Sequence, residues 1–274
     1  MVRRDPWRKF VSQLGLSCGL LLACALTPGT AQAGEVMQRV LQSHKLRACI
    51  WPGYYSISYR SPRTQQLSGI DIDLAKAFAQ DLGVTLEFVE TTYTRLIDDL
   101  RHDRCDVAMF GIGVTPERQA KLDFSAAYLQ SGIYALVSRS SRVVKTWADI
   151  DQPGVRVAVP ATSFIAPVMA GWLRQAQSVP LQMEQNYELE LESGRVDVFM
   201  VDFPFSQYLL ANTDWIRRLS PPKPLAAMPY AYAVKPGDEA WLQRLNQFVS
   251  AIKRDGRLAA AAGKNGLTEI MVRH

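Results

Sequence analysis

The sequence predicts an α/β protein of two similar lobes, between which the chain crosses twice. Short apolar runs typical of strands alternate with segments whose apolar residues recur at helical spacing, a pattern typical of mostly parallel sheets covered by helices. This alternation occurs before residue 115 and again after residue 154, and the motif RCDVAM at 104–109 returns as RVDVFM at 195–200. The length of 274 residues suits two lobes of about 100–150 residues each.

Five elements are predicted in the first half of the chain. Pro52-Gly53 ends the first strand, and Gly83 ends the first helix, because both residue types interrupt regular structure. The second strand is indicated by its alternation of apolar and polar residues. The predicted elements are, in order, a strand at 46–50, a helix at 74–82, a strand at 84–88, a short helix at 96–100 and a strand at 107–112.

The second half repeats this order of strands and helices. The shared order and the repeated motif together favour two lobes of similar topology, although the motif alone is a weak signal. The predicted elements are a strand at 155–159, a helix at 166–175, a strand at 179–183, a helix at 187–191 and a strand at 196–201.

Two apolar, strand-like segments at 133–138 and 228–234 are predicted to join the lobes as a hinge. A last helix follows, in which apolar residues form a stripe over 241–252. The expected division is one lobe of 34–135 plus 228–274 and a second lobe of 136–227. Clefts between such lobes are where α/β proteins bind ligands.

Residues 1–33 have the order of a secretory signal peptide. Basic side chains at 3–9 precede 25 residues without charge, 10–34, and the small-residue sequence AQA ends at Ala33. Cleavage after Ala33 is expected, which places the protein in the periplasm. A membrane anchor is the alternative, but the apolar part is shorter than the roughly 20 residues that a span needs. The sequence LLAC also resembles a lipoprotein box, in which Cys24 would carry a lipid.

The positive charge of the chain belongs mostly to this leader. Residues 1–33 carry four basic side chains against one acidic one, so the rest of the chain carries +2 of the formal net charge of +5. No basic run remains outside the leader. Binding to nucleic acid is therefore not expected.

The cysteines predict a disulfide and no metal site. Cys18 and Cys24 lie in the leader, so the exported chain keeps only Cys49 and Cys105. A pair of cysteines in an oxidising compartment is a disulfide candidate. There is no CxxC pair, and the three histidines show no ligand spacing, so neither a metal nor another cofactor is expected.

Four segments in order carry a family resemblance. They are LR…WPGY at 46–54, GIDIDLA at 69–75, GIGVTPER at 111–118 with DFS at 123–125, and GRVDVFMVD at 194–202. From about Leu46 to Gly266 the chain thereby resembles the bacterial extracellular solute-binding proteins of amino-acid ABC importers, family 3. The resemblance implies the periplasmic-binding-protein type II fold, with Cys49 and Cys105 on neighbouring strands. It also implies a monomer that binds an amino acid or a related carboxylate between its lobes and delivers it to an ABC permease in the inner membrane.

The resemblance also implies which residues bind the ligand. Arg118, in the first turn of a helix that Pro116 begins, matches the arginine that grips the ligand carboxylate, although its position alone suits a solvent-facing arginine. Asp202, at the end of an apolar strand, matches the acid that holds the ligand ammonium, and a helix N-cap is its alternative role. The other candidates are Thr162 and Ser163 at a helix start, Trp51, Tyr54 and Tyr93 as cleft walls, and Gly111 and Gly113 as backbone donors.

Several positions depart from the family pattern. Gly113, and in some members Gly111, stands where the family has a hydroxyl residue, and Trp51 occupies a position that is often acidic. Phe164 and Ile165 follow in place of a polar helix start. The cleft is therefore predicted to be more apolar than that of a typical binder of cationic amino acids.

Two other functions are considered. The chain is similar to periplasmic cyclohexadienyl dehydratases at 70–73 and 150–154, and to accessory proteins of quinoprotein dehydrogenases at 47–49 and 105–107. The dehydratase needs a carboxylic acid near the start of a helix in the second lobe, but no glutamate occurs between Asp151 and Glu184. We therefore expect a binding protein and not an enzyme.

Overall fold

The computed structural model of the protein describes residues 34–182 and 187–273. Three expectations fall wholly or partly outside these residues: the signal peptide at 1–33, the lipid anchor at Cys24 and the end of the strand predicted at 179–183. Within the described ranges, none of the helices is long and apolar enough to cross a membrane.

The first part of the chain forms a sheet with flanking helices and a small three-stranded sheet. Its helices are α1 (Glu35–Ser43), α2 (Ile70–Leu82), α3 (Leu96–Arg101) and α4 (Pro116–Gln119). Its strands are β1 (Lys45–Ile50), β2 (Gly53–Tyr54), β3 (Ser58–Arg60), β4 (Leu67–Ser68), β5 (Thr85–Glu90), β6 (Val107–Gly113), β7 (Asp123–Phe124), β8 (Leu129–Ser131) and β9 (Ile133–Ser138).

The second part repeats this alternation and then returns. Its strands are β10 (Arg156–Pro160), β11 (Gln177–Leu181), β12 (Val198–Asp202), β13 (Ile216–Leu219) and β14 (Met228–Val234). Its helices are α5 (Ile165–Trp172), α6 (Tyr187–Glu192), α7 (Phe203–Asn212), α8 (Glu239–Arg254) and α9 (Arg257–Lys264), with 3-10 turns at Trp147–Asp149 and Thr268–Ile270.

Two main sheets define the lobes. The first has the order β5-β1-β6-β14-β7 with β8 beside β14, and the second has the order β11-β10-β12-β9-β13. In the first sheet, β1 pairs in parallel with β5 and β6, and β14 pairs antiparallel with β6. In the second sheet, β10 pairs in parallel with β11 and β12, and β9 pairs antiparallel with β12. We call the elements around these sheets the first and second lobe.

The two predicted hinge strands enter these sheets. β8 pairs with β14 in the first sheet and β9 pairs with β12 in the second, so the chain passes between sheets at Gly132. It returns between β13 and β14. Residues 133–135, which the predicted division assigns to the first lobe, pair in the second sheet, and the lobe boundaries themselves stay predictions.

The repeated sequence motif has one structural role in both lobes. Asp106, just before β6, accepts hydrogen bonds from the backbone N–H (2.8 Å) and the guanidinium (Nη2, 2.7 Å) of Arg47 in β1. Asp197, just before β12, accepts the same pair of bonds from Arg156 in β10 (2.9 and 2.8 Å). Each aspartate thus ties the start of one central strand to its parallel neighbour, which accounts for the repeat in the sequence.

Helix α5 is shorter than the sequence predicts. The periodicity extends to Gln175, but the helix ends at Trp172. The carboxylate of Asp151 accepts backbone N–H bonds from Arg174, Gln175 and Ala176 (2.8–3.0 Å), which holds this segment in a non-helical path. A distant acceptor therefore ends a helix that local spacing would continue.

The predicted disulfide between Cys49 and Cys105 is confirmed. The two Cα atoms lie 5.6 Å apart, and the residues are separated by 56 positions in sequence. Cys49 lies in β1 and Cys105 just before β6, and these strands pair at Ala48 and Val107. Both cysteines are buried in an apolar cluster with Leu96 and Phe110.

Candidate functional site

The nine residues predicted to bind a ligand line one cavity, to which both lobes contribute. The centre of a water-sized sphere can reach about 80 Å³ of this cavity, and the wider space between the lining atoms, including the mouth that opens to solvent, is about 630 Å³. Eight further residues line it that the sequence analysis did not select: Pro160, Phe164, Ile165, Tyr187, Phe199, Val201, Phe205 and Tyr230.

Arg118 reaches the cavity from the first lobe. The hydroxyl of Thr115 accepts the backbone N–H of Arg118 and so caps the short helix α4, which begins at Pro116 directly after the β6 strand. The guanidinium donates from Nη1 to the carbonyl of Gly113 (3.0 Å) and lies 5.0 Å from the ring centroid of Tyr93. Among the described residues it forms no ion pair, so its charge remains available to an anion in the cavity.

Asp202 reaches the same cavity from the second lobe. It ends β12 and caps α7, since its Oδ1 accepts the backbone N–H of Phe205 (3.0 Å). Its Oδ2 accepts hydrogen bonds from the hydroxyls of Tyr54 and Tyr230, the latter at 2.9 Å. Burial raises the pKa of the Asp202 carboxyl, and the hydrogen bonds from Tyr54, Phe205 and Tyr230 oppose that rise. The Asp202 side chain therefore caps a helix and also lies in the cavity, which are the two positions considered from sequence.

The predicted aromatic walls belong to the first lobe. The ring of Trp51 contacts Tyr54 and Tyr93, with centroid distances of 5.7 and 5.5 Å. Tyr54 also donates its hydroxyl to Asp202, and Tyr93 lies under the guanidinium of Arg118. These rings therefore orient the two charged side chains of the cavity as well as enclosing it.

The expectation that both glycines offer backbone donors to a ligand needs correction at Gly111. Its N–H donates to Oδ2 of Asp71 (2.8 Å) and is not directed at the cavity. Its φ is +63°, and a Cβ there would lie 2.8 Å from Cε1 of Tyr54, so glycine is required for the close approach of that ring. At Gly113 a Cβ would lie 3.0 Å from Cγ of Met228, so a larger residue would crowd the base of Arg118.

Thr162 and Ser163 lie at the start of α5. The Ser163 hydroxyl donates to the carbonyl of Pro160 (2.7 Å) and accepts the N–H of Ile165 (3.2 Å), the first residue of the helix. The side chain of Thr162 is exposed at the cavity edge. The N-cap position itself is Phe164, so the plain cap expected at Thr162 or Ser163 is wrong, and a ligand contact by either residue stays a prediction.

The lining residues missed from sequence lie mostly in segments that were predicted correctly. Phe199, Val201 and Tyr230 belong to strands, and the first two share a strand face by their spacing of two. That spacing was the only sequence feature that could have indicated these lining residues. It does not distinguish a residue that lines a cavity from one in the core, because both faces of a parallel sheet are buried and apolar.

Behind the cavity wall lies a second buried carboxyl, that of Asp71 at the start of α2. It accepts hydrogen bonds from the Gly111 N–H and from the hydroxyls of Tyr128 (2.6 Å) and Tyr232 (3.1 Å). Burial raises the pKa of Asp71 to about 7, and the three hydrogen bonds limit that rise. The group thus stays largely protonated in the folded protein over a pH range in which it ionises in the unfolded chain.

This carboxyl predicts a pH dependence of stability. Between about pH 4 and pH 7 the Asp71 carboxyl binds more protons in the folded than in the unfolded chain, so its contribution to the free energy of unfolding should fall as the pH rises through this window. The contribution of Asp71 is roughly 4 kcal/mol at most, since one pKa unit corresponds to about 1.4 kcal/mol. Asp71→Asn should fold and lose this part of the dependence, measured by urea unfolding at several pH values. The control is Asp98→Asn at an exposed position of α3, and an Asp71→Asn profile parallel to the wild type would contradict the prediction.

Comparison with known proteins agrees with this arrangement. The sequence family described as bacterial extracellular solute-binding proteins, family 3, matches residues 46–267. The chain is 30% identical to cyclohexadienyl dehydratase of Pseudomonas aeruginosa over 246 residues, which cover 89% of both chains. It is 26% identical to the L-cystine-binding protein TcyJ of Escherichia coli over 259 residues, covering 89% of this chain and 92% of that protein.

Solved structures confirm the predicted type II periplasmic-binding-protein fold. The ancestral amino acid-binding protein AncCDT-1, a precursor of cyclohexadienyl dehydratase, has a TM-score of 0.74 and 30% identity, covering 83% of this chain and 98% of that one. A binding component of an ABC transporter from Wolinella succinogenes, complexed with lysine, has a TM-score of 0.74 and 26% identity, covering 81% of this chain and 95% of that one.

Proposed function

The chain belongs to the bacterial extracellular solute-binding proteins, family 3, and from this premise we propose that it captures a small carboxylate, an amino acid or a related acid, and delivers it to an ABC importer. The observation that carries the proposal is the pair of charged side chains in the cavity. Arg118 enters from the first lobe without an ion-pair partner among the described residues, and Asp202 enters from the second. A ligand with a carboxylate and an ammonium matches both charges.

In this proposal Arg118 holds the ligand carboxylate by two parallel hydrogen bonds from its guanidinium. Asp202 receives the ligand ammonium, for which its Oδ1 has an acceptor site beside the bond to the Phe205 N–H. Because the two side chains belong to different lobes, only a closed arrangement satisfies both ends of the ligand. Ligand binding therefore favours closure.

The ligand class is tested by mass spectrometry of small molecules released from natively purified protein. A retained carboxylic acid, with or without an amine, is the expected result, and its affinity is then measured by calorimetry. If nothing is retained, the same measurement is made with the twenty amino acids and their des-amino counterparts. A retained sugar or another neutral compound, or no binding within the panel, would argue against the proposal.

A charge-removing substitution tests the role of Asp202. Asp202→Asn keeps the cap on α7 and the volume of the side chain, but it leaves a ligand ammonium without a negative partner. Truncation of one partner of a buried charge pair costs about 2–5 kcal/mol, so binding of the amino acid should weaken by more than tenfold. The des-amino counterpart, which has no ammonium, should change by less than about threefold. Equal losses for the two ligands, measured by calorimetry, would show that Asp202 acts only through the fold.

Export and delivery complete the proposal. We propose that the leader is cleaved after Ala33 and that the mature protein is a periplasmic monomer whose ligand passes to an inner-membrane permease. The order of basic, apolar and small residues in 1–33 supports export. Membership of an extracellular solute-binding family supports a location outside the cytoplasm and a role in delivery. Intact-mass measurement of exported protein tests the cleavage site, and a mass that includes the lipidated Cys24 would support an anchored form. Uptake of labelled ligand by cells with and without the gene tests the delivery.

An enzyme is the second candidate, because a relative of 30% identity is named cyclohexadienyl dehydratase. Asp202 is the only carboxyl among the described lining residues, and its raised pKa is the property that a general acid needs. Asp202 is, however, already bonded to two tyrosine hydroxyls and a backbone N–H, which favours a binding role. Incubation of the identified ligand with the protein, followed by NMR, separates the two functions, since only an enzyme yields a product.

A further inference from the structure

A cluster of three rings in the second lobe forms part of the cavity wall. Tyr187 from α6, Phe199 from β12 and Phe205 from α7 contact one another, and all three line the cavity. The centroid distances are 4.7 Å for Tyr187 and Phe199, 5.8 Å for Tyr187 and Phe205, and 5.7 Å for Phe199 and Phe205. We call these three residues the ring cluster.

The ring cluster differs from the rings of the first lobe in what it contacts. Tyr54 donates to Asp202, and Tyr93 lies under the Arg118 guanidinium, so those two rings serve the polar end of the site. The three rings of the cluster contact one another, and Phe205 also contacts the ring of Tyr55 at a centroid distance of 5.8 Å. Val201 beside them adds further apolar surface to the cavity. An apolar group placed against these ring faces is removed from water.

A ligand with one positive and one negative group is sufficient to balance the two charged side chains of the cavity. Arg118 and Asp202 are the only charged residues among the described lining residues, so a ligand with one carboxylate and one ammonium leaves no counter-charge for a third group. A second cation on the ligand would have only aromatic faces to contact. The attraction between a cation and an aromatic face is weaker than the cost of burying a charge without an ionic partner.

We propose that the ring cluster is a side-chain subsite for an apolar or aromatic group, so that the protein selects ligands such as aromatic and branched aliphatic amino acids, or their des-amino acids, over cationic ones. This inference rests on the proposed function, because it takes the ligand carboxylate to be at Arg118. The expected ligands thus differ in charge from the lysine that the Wolinella succinogenes structure contains.

Calorimetry with a matched ligand series tests the subsite. The series is phenylalanine, leucine, alanine, lysine and arginine, with 3-phenylpropanoate and propanoate as the des-amino counterparts of phenylalanine and alanine. Phenylalanine or leucine should bind at least tenfold more tightly than lysine or arginine, and 3-phenylpropanoate should bind more tightly than propanoate, which has the same charge. Tighter binding of the cationic ligands would overturn the inference and leave the proposed function standing. No binding by any of the seven acids would instead contradict the proposed function.

A substitution in the ring cluster locates the preference. Phe205→Ala should weaken phenylalanine binding by about tenfold or more, because an apolar pocket loses the contact area of the ring. The affinity for alanine, whose methyl side chain is too short to reach the cluster, should change by less than about threefold. The matched control is Phe88→Ala in the first lobe, where a partly buried ring packs on the core outside the cavity. Equal losses for phenylalanine and alanine, or the same loss in the control, would overturn the assignment of the subsite.

Discussion

Replacing Arg118 by alanine should weaken ligand binding by well over tenfold while the protein still folds. The guanidinium has no ion-pair partner among the described residues and lies beside the cavity, so its loss removes the proposed partner of the ligand carboxylate. Loss of one member of such a charge pair costs about 2–5 kcal/mol, and each tenfold change in affinity corresponds to about 1.4 kcal/mol. Calorimetry with the identified ligand measures the effect.

Two companion variants make this result specific. Arg118→Lys keeps the charge but loses the planar fork that pairs with a carboxylate, so its affinity should lie between those of the wild type and Arg118→Ala. Arg104→Ala removes an exposed arginine that pairs with Asp99 outside the cavity, and it should leave the affinity unchanged. If Arg118→Ala binds as tightly as the wild type, the carboxylate lies elsewhere.

Loss of the Cys49–Cys105 disulfide should lower the free energy of unfolding by roughly 4 kcal/mol. The bond closes a loop with a sequence separation of 56 residues, and the chain-entropy model gives about this value for such a loop. The paired variant Cys49→Ala with Cys105→Ala also removes buried sulfur atoms from an apolar cluster, which adds to the loss. Urea unfolding of oxidised wild type, reduced wild type and the variant measures the difference.

The chemistry of the bond is checked independently of stability. Thiol titration of the denatured, unreduced protein should find no free cysteine in the mature chain. Reductant should destabilise the wild type and leave the alanine variant unaffected. Two titratable thiols, or a wild type whose unfolding ignores reductant, would contradict the bond and with it the predicted stabilisation.

The fold class was predictable because it depends on periodicities that a sequence carries directly. Strand 107–112 was expected and Val107–Gly113 is found, and the helix expected to end before Gly83 ends at Leu82. The prediction failed where a distant group intervened, as at Trp172, where Asp151 ends the helix through backbone hydrogen bonds. The short strands β2, β3 and β4 were also missed, since two or three residues show no period.

The candidate site was predictable only in part. The charged residues were found from sequence, but their hydrogen-bond partners, which are distant along the chain, were not. Arg118 and Asp202 were selected because a resemblance marked their positions, and both line the cavity. The bond from Tyr54 to Asp202 joins residues 148 positions apart, and that from Tyr230 joins residues 28 positions apart. Such partners follow from the direction of side chains after packing, which spacing does not specify.

The sequence by itself determined the alternation of strands and helices and the pair of cysteines left after the leader, because these features are local in the chain or follow from composition. A resemblance between sequence motifs also marked Arg118, in the short helix after β6, and Asp202, at the end of β12. Only the tertiary structure decided that the Gly111 N–H donates to Asp71 and that two tyrosine hydroxyls donate to Asp202. It also decided that Tyr187, Phe199 and Phe205 contact one another as one ring cluster. These contacts arise when strand ends from separate parts of the chain are brought to one edge of each sheet, and packing then selects which side chains face the cavity.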